Sequence, residues 1–264
     1  MQLFRAEGLQ AFVDLGFAKA GNEDSITNNG WDYSYGAGVV LGWKGHFMDD
    51  KLQFGLNYAS KVYMSEFDDY SGLFPDAGDF DIPPSYAFGV MYEFVPDAHI
   101  TFDIKYVDYQ DVKAYKNKGP LADDPAQFYP LCPDPNDTDE CKLGGSKGMG
   151  FGWDNQTIYK LGADYTINNK WIIRGGLNYG EQPIPGDQIL FAFLAPATPE
   201  WHYNIGTTYN WNKDIELSFN FMYAPKVTVT GPTAFGPTQA VVDGTNAAIS
   251  MYQYSLGGSL GWKF

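Results

Sequence analysis

Cationic residues recur on the polar side of alternating segments, where they could bind an anionic ligand. Lys105, Lys160 and Arg174 each follow this pattern, and a cationic nitrogen there could hold a carboxylate head group. The same polar sides carry five further ionisable residues: Glu93, Asp103, Asp164, His202 and Glu216. Opposite charges inside a narrow interior are expected to pair, because an unpaired buried charge is costly. A structural salt-bridge network is the favoured interpretation, and head-group binding is the alternative.

Apolar side chains in loop segments suggest a second kind of site. The segment Gln182–Glu200 is rich in large apolar residues, and exposed apolar loops indicate either ligand contact or loop packing. The candidate groove residues are Phe4, Leu9, Phe12, Leu73, Phe74, Leu190, Phe191 and Phe193. A site for an apolar ligand needs such a surface, since each buried methylene contributes about 0.8 kcal/mol. Loops packed on one another as a cap would show the same composition, and the two interpretations are compatible.

Two cysteines, Cys132 and Cys141, bracket an acidic loop. In an exported protein, two cysteines this close predict a disulfide, and the lack of a nearby histidine argues against zinc. Asp134, Asn136, Asp137, Asp139 and Glu140 could offer oxygen ligands to calcium, but the run lacks the glycine and terminal glutamate of an EF-hand loop. We therefore expect a solvated acidic tip, with no metal and no cofactor.

Catalytic motifs do not stand out in the sequence. His46, His99 and His202 fall on separate strands or turns, without a nucleophile–base pair. The glycines of Gly36–Gly38 are not followed by a helix pattern, so a dinucleotide fingerprint is excluded. We predict no catalytic residue and no enzymatic activity.

Long β-strands are the elements that must position these residues. Between Tyr252 and Phe264, apolar residues alternate with Gly, Ser and other polar residues, a period of two that only a strand can keep on two faces. The same pattern predicts strands near 31–44, 52–66, 83–95, 98–113, 154–168, 171–181, 201–211 and 215–223. Phe4–Phe17 could add a tenth strand or a short amphipathic helix.

The predicted connections alternate between short and long, as they do in outer-membrane barrels. The short ones are Gly45–Asp50, Pro96–His99, Asn168–Lys170 and Asn212–Asp214, and the long ones are Asp68–Asp81, Tyr115–Gly152, Gln182–Glu200 and Thr230–Ala247. Aromatic residues near the short-turn ends, such as Trp171 and Trp211, predict an interfacial girdle. A soluble sandwich or lipocalin-like barrel is the alternative. Its polar face would be expected to carry Lys and Glu, whereas Gly, Ser and Asn dominate here.

Composition excludes several other classes of protein. The chain has 264 residues with 17 Lys+Arg against 32 Asp+Glu, a net charge of −15 that disfavours nucleic-acid binding. An aromatic content of 17% excludes a disordered chain. The apolar runs are too short for a transmembrane helix, but alternating barrel strands need no such run. The first residues, MQLFRAEGLQAF, lack the basic and apolar regions of a signal peptide.

Several motifs resemble those of a known family. The chain ends in Gly261–Phe264, and the terminal aromatic residue looks like the signature that the barrel-insertion machinery reads. The other matching motifs are Lys61–Phe67, Tyr70–Phe74, Gly78–Pro83, Gly150–Asp154, Ile173–Tyr179 and Gln182–Pro185. Over nearly its whole length the chain resembles the FadL-type family of outer-membrane transporters for long-chain fatty acids and other hydrophobic compounds.

The resemblance implies an all-β fold, a fourteen-stranded antiparallel transmembrane β-barrel with an N-terminal hatch. It also implies ligand capture by external loops, followed by passage through the barrel and lateral exit. The hatch, its Asn-Pro-Ala motif and the early strands have no counterpart here. We therefore expect residues 1–264 to form one barrel domain of nine to ten strands, the C-terminal part of such a barrel. Residues 1–30 are expected to be an external-loop or first-strand segment. Closure as a smaller ten-stranded barrel is the alternative, since an open edge in lipid leaves backbone groups unpaired.

The function expected from this resemblance is passive transport across the bacterial outer membrane. The expected partners are a long-chain fatty acid or another hydrophobic small molecule, outer-membrane lipid and the barrel-insertion machinery, with the protein acting as a monomer. The alternative is a non-transporting structural or adhesive surface barrel that uses its acidic external loops.

Overall fold

A computed structural model describes residues 1–14, 16–119, 139–234 and 241–263. The strands are β1 (Gln2–Phe4), β2 (Asp32–Ser34), β3 (Gly36–Ala37), β4 (Val40–Phe47), β5 (Leu52–Ala59), β6 (Tyr63–Met64), β7 (Ser85–Val95), β8 (Ala98–Val107), β9 (Gln156–Asn168), β10 (Trp171–Gly180), β11 (Trp201–Asn210), β12 (Ile215–Ala234) and β13 (Val241–Trp262). The short α-helices are α1 (Gln10–Asp14), α2 (Pro75–Gly78), α3 (Lys113–Lys116) and α4 (Ile189–Ala192). Five 3₁₀ turns are described at Glu23–Ser25, Asp68–Tyr70, Tyr109–Asp111, Asp139–Cys141 and Gly186–Gln188.

Nine of these strands form one antiparallel sheet. Its order is β4, β5, β7, β8, β9, β10, β11, β12, β13, with β4 and β13 at the two ends. Strands that neighbour each other in the chain also neighbour each other in the sheet, apart from the short excursion of β6, which pairs with β3. This up-and-down order confirms the predicted all-β, antiparallel fold.

The two faces of the sheet differ sharply in polarity. The outer face, which carries residues such as Phe102, Ile205 and Phe219, leaves large apolar side chains exposed at 37%, 64% and 59%. The inner face carries the residues that alternate with them, such as Thr101, Asn204 and Asn220, together with many glycines. A sheet that exposes its apolar face is typical of a strand wall in contact with lipid. In the described residues no helix has both the length and the apolar character needed to cross a membrane.

One end of the sheet is closed by tight turns whose geometry the side chains set. Asn168 Oδ1 accepts hydrogen bonds from the backbone N–H groups of Lys170 and Trp171 at 2.8 and 3.0 Å. Asn212 Oδ1 accepts from Asp214 and Ile215 at 2.8 and 2.9 Å in the same way. Asparagine at such a position mimics a backbone turn, so these two connections are short, as predicted.

The opposite end carries a packed assembly that we call the loop cap. It consists of the described residues of segments 1–30, 65–81, 109–119, 139–153 and 183–199. Ile26, Leu73, Leu143 and Ile184 are fully buried in its apolar core, each at 0% exposure. The buried apolar core of the described chain therefore lies mainly in the loops, since the sheet turns its own apolar face outward.

Several predicted boundaries are wrong. The strand predicted over 31–44 is divided into β2, β3 and β4, because Ser65 and Ser60 side chains accept the N–H groups of Tyr35 and Val39. The strand predicted over 52–66 ends at Ala59, and the one over 98–113 ends at Val107, where a 3₁₀ turn and α3 join the loop cap.

Two further segments bear on the predicted elements. The loop predicted over Thr230–Ala247 is strand in its described residues, because β12 and β13 continue to pair up to Ala234 and Val241. In Phe4–Phe17 the short helix is present as α1, while β1 ends at Phe4 and pairs with β2.

Candidate functional site

The first predicted set of charges lies together on the inner face. His99 Nδ1 is 2.9 Å from Asp164 Oδ2 across the β8–β9 pair. Arg174 faces Asp164 from β10, but its Nη1 donates to Thr208 Oγ1 at 2.7 Å. Thr208 Oγ1 is in turn 2.7 Å from Ser218 Oγ. A polar chain therefore crosses strands β10 to β12 beside the His99–Asp164 pair.

The cations on the inner face do not form the close ion pairs that a full salt-bridge network requires. Lys160 faces Asp103 across the β8–β9 pair, and Lys105 faces Ile158. In the described part of the chain, no carboxylate oxygen lies within 4.0 Å of the charged nitrogen of Lys105, Lys160 or Arg174. The structure thus brings these charges to one face without pairing them closely. Their contact with a ligand head group stays a prediction.

Glu93 and Glu216 lie towards the short-turn end of the sheet. Glu93 Oε1 accepts the backbone N–H of Asp97 at 3.1 Å and so supports the turn between β7 and β8. Glu216 faces Asn210 and Gly261 on its neighbouring strands. Both positions suit a structural role in the turns at that end.

Most of the predicted groove residues pack inside the loop cap. Leu9, Leu73, Phe74 and Phe191 are 5%, 0%, 2% and 2% exposed. Phe4 is partly buried, with its ring 4.9 Å from the ring of Tyr70 in an edge-to-face contact. The side chain of Leu190 lies outside the described residues. In this conformation a groove formed by all of these residues is not open at the surface.

Phe193 is the exposed member of this apolar set among the described side chains, and it is paired with the partly buried Phe12. Their rings are stacked, with centroids 6.1 Å apart and planes inclined by 7°. Phe12 also contacts the rings of Phe17 and Phe191 at 5.8 and 6.1 Å. Phe193 remains 45% exposed, so an apolar molecule arriving from outside would meet this ring pair at the edge of the loop cap.

A cavity of about 430 Å³ lies where the loop cap meets the inner face. Ile158, Asn178, His202 and Met251 border it from the sheet, and residues 195–197 border it from the loop cap. Its size is typical of a small-molecule site. The sequence pattern did not predict this cavity, although its signal is inward polar residues at the cap-facing ends of β10 and β11 with the sequence APATPE directly before β11.

Acidic residues within the loop cap are held by the chain itself. Asp81 Oδ1 accepts the backbone N–H of Met64 at 2.7 Å, and its Oδ2 lies 3.4 Å from Lys61 Nζ. Burial, with the neighbouring Asp81 carboxylate as the next cause, raises the pKa of Asp79 to about 6. Asp76 forms an ion pair with Lys113 at 2.6 Å. These contacts join segment 65–81 to β6 and α3.

Glu140 connects segment 139–153 with the beginning of the chain. Its carboxylate accepts hydrogen bonds from Lys19 Nζ and, at 2.9 Å, from the backbone N–H of Ser146. These bonds lower its pKa to about 2. No group of residues suited to a metal ion is found in residues 139–153 or elsewhere in the described chain.

Most residues of the predicted disulfide and acidic tip lie outside the residues that the structure describes. Cys141 is buried at 2% exposure. Cys132, Asp134, Asn136 and Asp137 lie outside the described residues, so the disulfide stays a prediction.

A comparison of the sequence with models of known protein families shows to which family the chain belongs. A family model described as outer membrane protein transport protein (OMPP1/FadL/TodX) matches residues 8–254. The chain belongs to this family. Membership confirms the resemblance deduced from the motifs, and it places the protein among bacterial outer-membrane β-barrel proteins.

Solved structures of the FadL/TodX family share the fold. The P. putida toluene transporter TodX matches with a TM-score of 0.57 at 17% identity, over 89% of this chain and 50% of TodX. A Pseudomonas aeruginosa FadL homologue matches with a TM-score of 0.54 at 13% identity, over 85% and 52% of the two chains. The Ralstonia pickettii toluene transporter TbuX gives 0.50 at 14% identity, over 88% and 49%.

The chain spans about half the length of these structures. At such identities the likeness establishes the fold alone. No curated protein sequence matches the chain significantly.

Proposed function

We propose that this FadL/TodX-family chain mediates passive uptake of hydrophobic compounds, such as long-chain fatty acids, across the outer membrane. The observation that carries the proposal is the 430 Å³ cavity between the loop cap and the inner face. It offers a largely apolar surface on the inner side of a sheet whose outer face carries exposed apolar side chains. Relatives with the same fold are described as toluene transporters, which supports a hydrophobic ligand.

The proposed path begins at the stacked Phe12 and Phe193 rings. An apolar molecule would lose contact with water there, at about 25 cal/mol for each Å² of apolar surface buried. Local opening of the loop cap would then admit it to the cavity, which residues 195–197 border shortly after Phe193 in the chain. For a fatty acid, Lys105, Lys160 and Arg174 supply cationic nitrogens on the inner face below.

Transport of this kind needs no catalytic residue, and we propose none. The same proposal includes outer-membrane lipid on the outer face, assembly by the barrel-insertion machinery, and a monomer. Glu140 and Asp76 already engage Lys19 and Lys113 of the same chain. They are therefore poorly placed to hold an external cationic partner, as an adhesive role would require.

The test is uptake of labelled oleate and of labelled toluene into proteoliposomes. The protein is purified from outer membranes and reconstituted without truncation. An inert barrel of similar size, at the same protein-to-lipid ratio, is the control. Faster equilibration than with the inert barrel, reduced by Phe193→Ala, is the expected result. Rates equal to those of the inert barrel for both compounds would overturn the proposal.

A further inference from the structure

Two polar side chains face each other beside the cavity without satisfying their buried atoms. Asn178 of β10 and His202 of β11 are directly opposite in register, and both border the cavity. Asn178 Oδ1 and His202 Nδ1 are buried and have no hydrogen-bond partner among the described residues. Buried polar atoms are normally paired, because leaving one unpaired costs free energy. The pair therefore calls for an explanation beyond packing.

The rest of the lining narrows the chemistry that could supply the missing partner. Pro196, Ala197 and Met251 present apolar surface, and Tyr109, Gln156 and Gln253 add neutral polar groups. Glu200 is the one carboxylate in the described lining, which includes no lysine or arginine. Lys160 faces Asn178 from β9, but it also faces Asp103 and does not border the cavity. An anionic ligand would thus lose hydration beside Glu200 without gaining a cation.

We propose that this cavity binds a small apolar molecule with a single hydroxyl group, an aliphatic alcohol or a phenol, held by Asn178 and His202. A hydroxyl can donate to the Asn178 carbonyl oxygen and accept from an imidazole N–H. Neither buried atom is accessible in this conformation, so contact with a ligand requires rotation about χ2, which exchanges Oδ1 with Nδ2 in Asn178 and Nδ1 with Cδ2 in His202. A hydrocarbon would leave both atoms unpaired. The inference rests on the proposed function, since the cavity lies on the proposed path, and it concerns a neutral ligand rather than the carboxylate of a fatty acid.

The experiment compares three ligands of equal chain length on the wild-type chain in lipid nanodiscs. Labelled 1-octanol, octanoate and octane are measured by equilibrium binding, with binding to empty nanodiscs subtracted. We expect 1-octanol to bind about tenfold more tightly than either of the others, the effect of one or two added hydrogen bonds. Asn178→Leu and His202→Phe should each bring 1-octanol to the level of octane. Asn204→Leu, which changes the same face of β11 away from the cavity, should preserve the preference.

Other outcomes would overturn the inference. Equal binding of the three ligands to the wild-type chain would show that the cavity does not select for a hydroxyl group. Tightest binding of octanoate, lost in Lys160→Gln, would show an anion site instead. Because the ligand series uses the wild-type chain, a variant that fails to fold leaves the test intact.

Uptake measurements separate this inference from the proposed function. Uptake of oleate and toluene, without preferential binding of 1-octanol, would refute the hydroxyl site but not the transport proposal. Selective 1-octanol binding without any uptake above the inert barrel would support the site and defeat the transport proposal.

Discussion

The phenol oxygen of Tyr70 accepts a hydrogen bond from the backbone N–H of Ala6 at 3.1 Å, across 64 positions of sequence. The Tyr70 hydroxyl also donates to the carbonyl of Gly30 at 2.7 Å. Tyr70 is fully buried, so a single side chain holds both ends of segment 1–30 against segment 65–81. This contact fixes the beginning of the described chain as part of the loop cap.

Tyr70→Phe tests how firmly that segment is held. The ring contact with Phe4 is preserved, but the N–H of Ala6 and the carbonyl of Gly30 lose their partner, at a cost of about 1–3 kcal/mol. We expect faster amide hydrogen exchange in residues 2–30 and little change in β8 to β11. Tyr35→Phe, at a residue 61% exposed, serves as the control. Unchanged exchange in Tyr70→Phe would show that segment 1–30 is held by its apolar contacts alone.

Phe191 and Phe193 should separate packing from ligand capture. Phe191→Ala opens a cavity in the core of the loop cap and should destabilise it by about 3–5 kcal/mol, as large core truncations do. Phe193→Ala removes a half-exposed ring and should leave thermal stability of the cap nearly unchanged while slowing uptake of hydrophobic compounds. Thermal unfolding of the cap and uptake rates are measured on both variants. Equal uptake by wild type and Phe193→Ala would remove this ring from the proposed path.

The raised pKa of Asp79 predicts how cap stability depends on pH. Its ordinary value is 3.8 and its value in the folded chain is about 6, so the folded state binds more protons than the unfolded state between these pH values. Stability is therefore greatest below pH 3.8 as far as this group is concerned, and it falls as pH rises through about 6. In Asp79→Asn this fall should disappear, because the amide stays neutral at every pH. Hydrogen exchange of residues 65–81, corrected for the intrinsic rate at each pH, measures the effect. The exposed substitution Asp24→Asn should retain it.

Several strand ends were not predictable from the sequence, but the strands themselves were, because apolar residues alternate with small or polar ones where one face of the sheet meets lipid. The segment 171–181 is an example, since Trp171, Ile173 and Leu177 alternate with smaller or polar residues and β10 ends at Gly180. The loop cap was not predictable, because its core joins residues such as Ile26 and Leu143 that are far apart in sequence and follow no period. For the same reason Asn178 and His202 were missed as a pair. The cavity beside them depends on the β10–β11 register and on residues of β9, β13 and the loop cap that are distant in sequence.

Lys105 and Arg174 are predicted to differ although both are cations on the inner face. Arg174→Gln removes a donor to Thr208 and should cost about 1 kcal/mol of stability. Lys105 faces Ala87 and Ile158, so Lys105→Gln should leave stability nearly unchanged but slow the uptake of oleate relative to toluene. Chemical unfolding and paired uptake rates distinguish the two effects. An unchanged oleate-to-toluene ratio in Lys105→Gln would exclude this side chain from head-group contact.

Adjacent residues on β8 allow a direct test of which face of the sheet meets lipid. Phe102 lies on the outer face opposite Val90 and Leu161, whereas Thr101 lies on the inner face opposite Met91 and Gly162. A lysine near the bilayer midplane on the lipid side costs about 2–4 kcal/mol, and a lysine facing a polar interior remains hydrated. Phe102→Lys should therefore lower the free energy of unfolding in phospholipid vesicles far more than Thr101→Lys. The loss of the Phe102 ring is controlled by Phe102→Ala, whose smaller effect is subtracted. If Thr101→Lys were the more damaging substitution, the apolar face would have to be packed against protein, as in a soluble barrel.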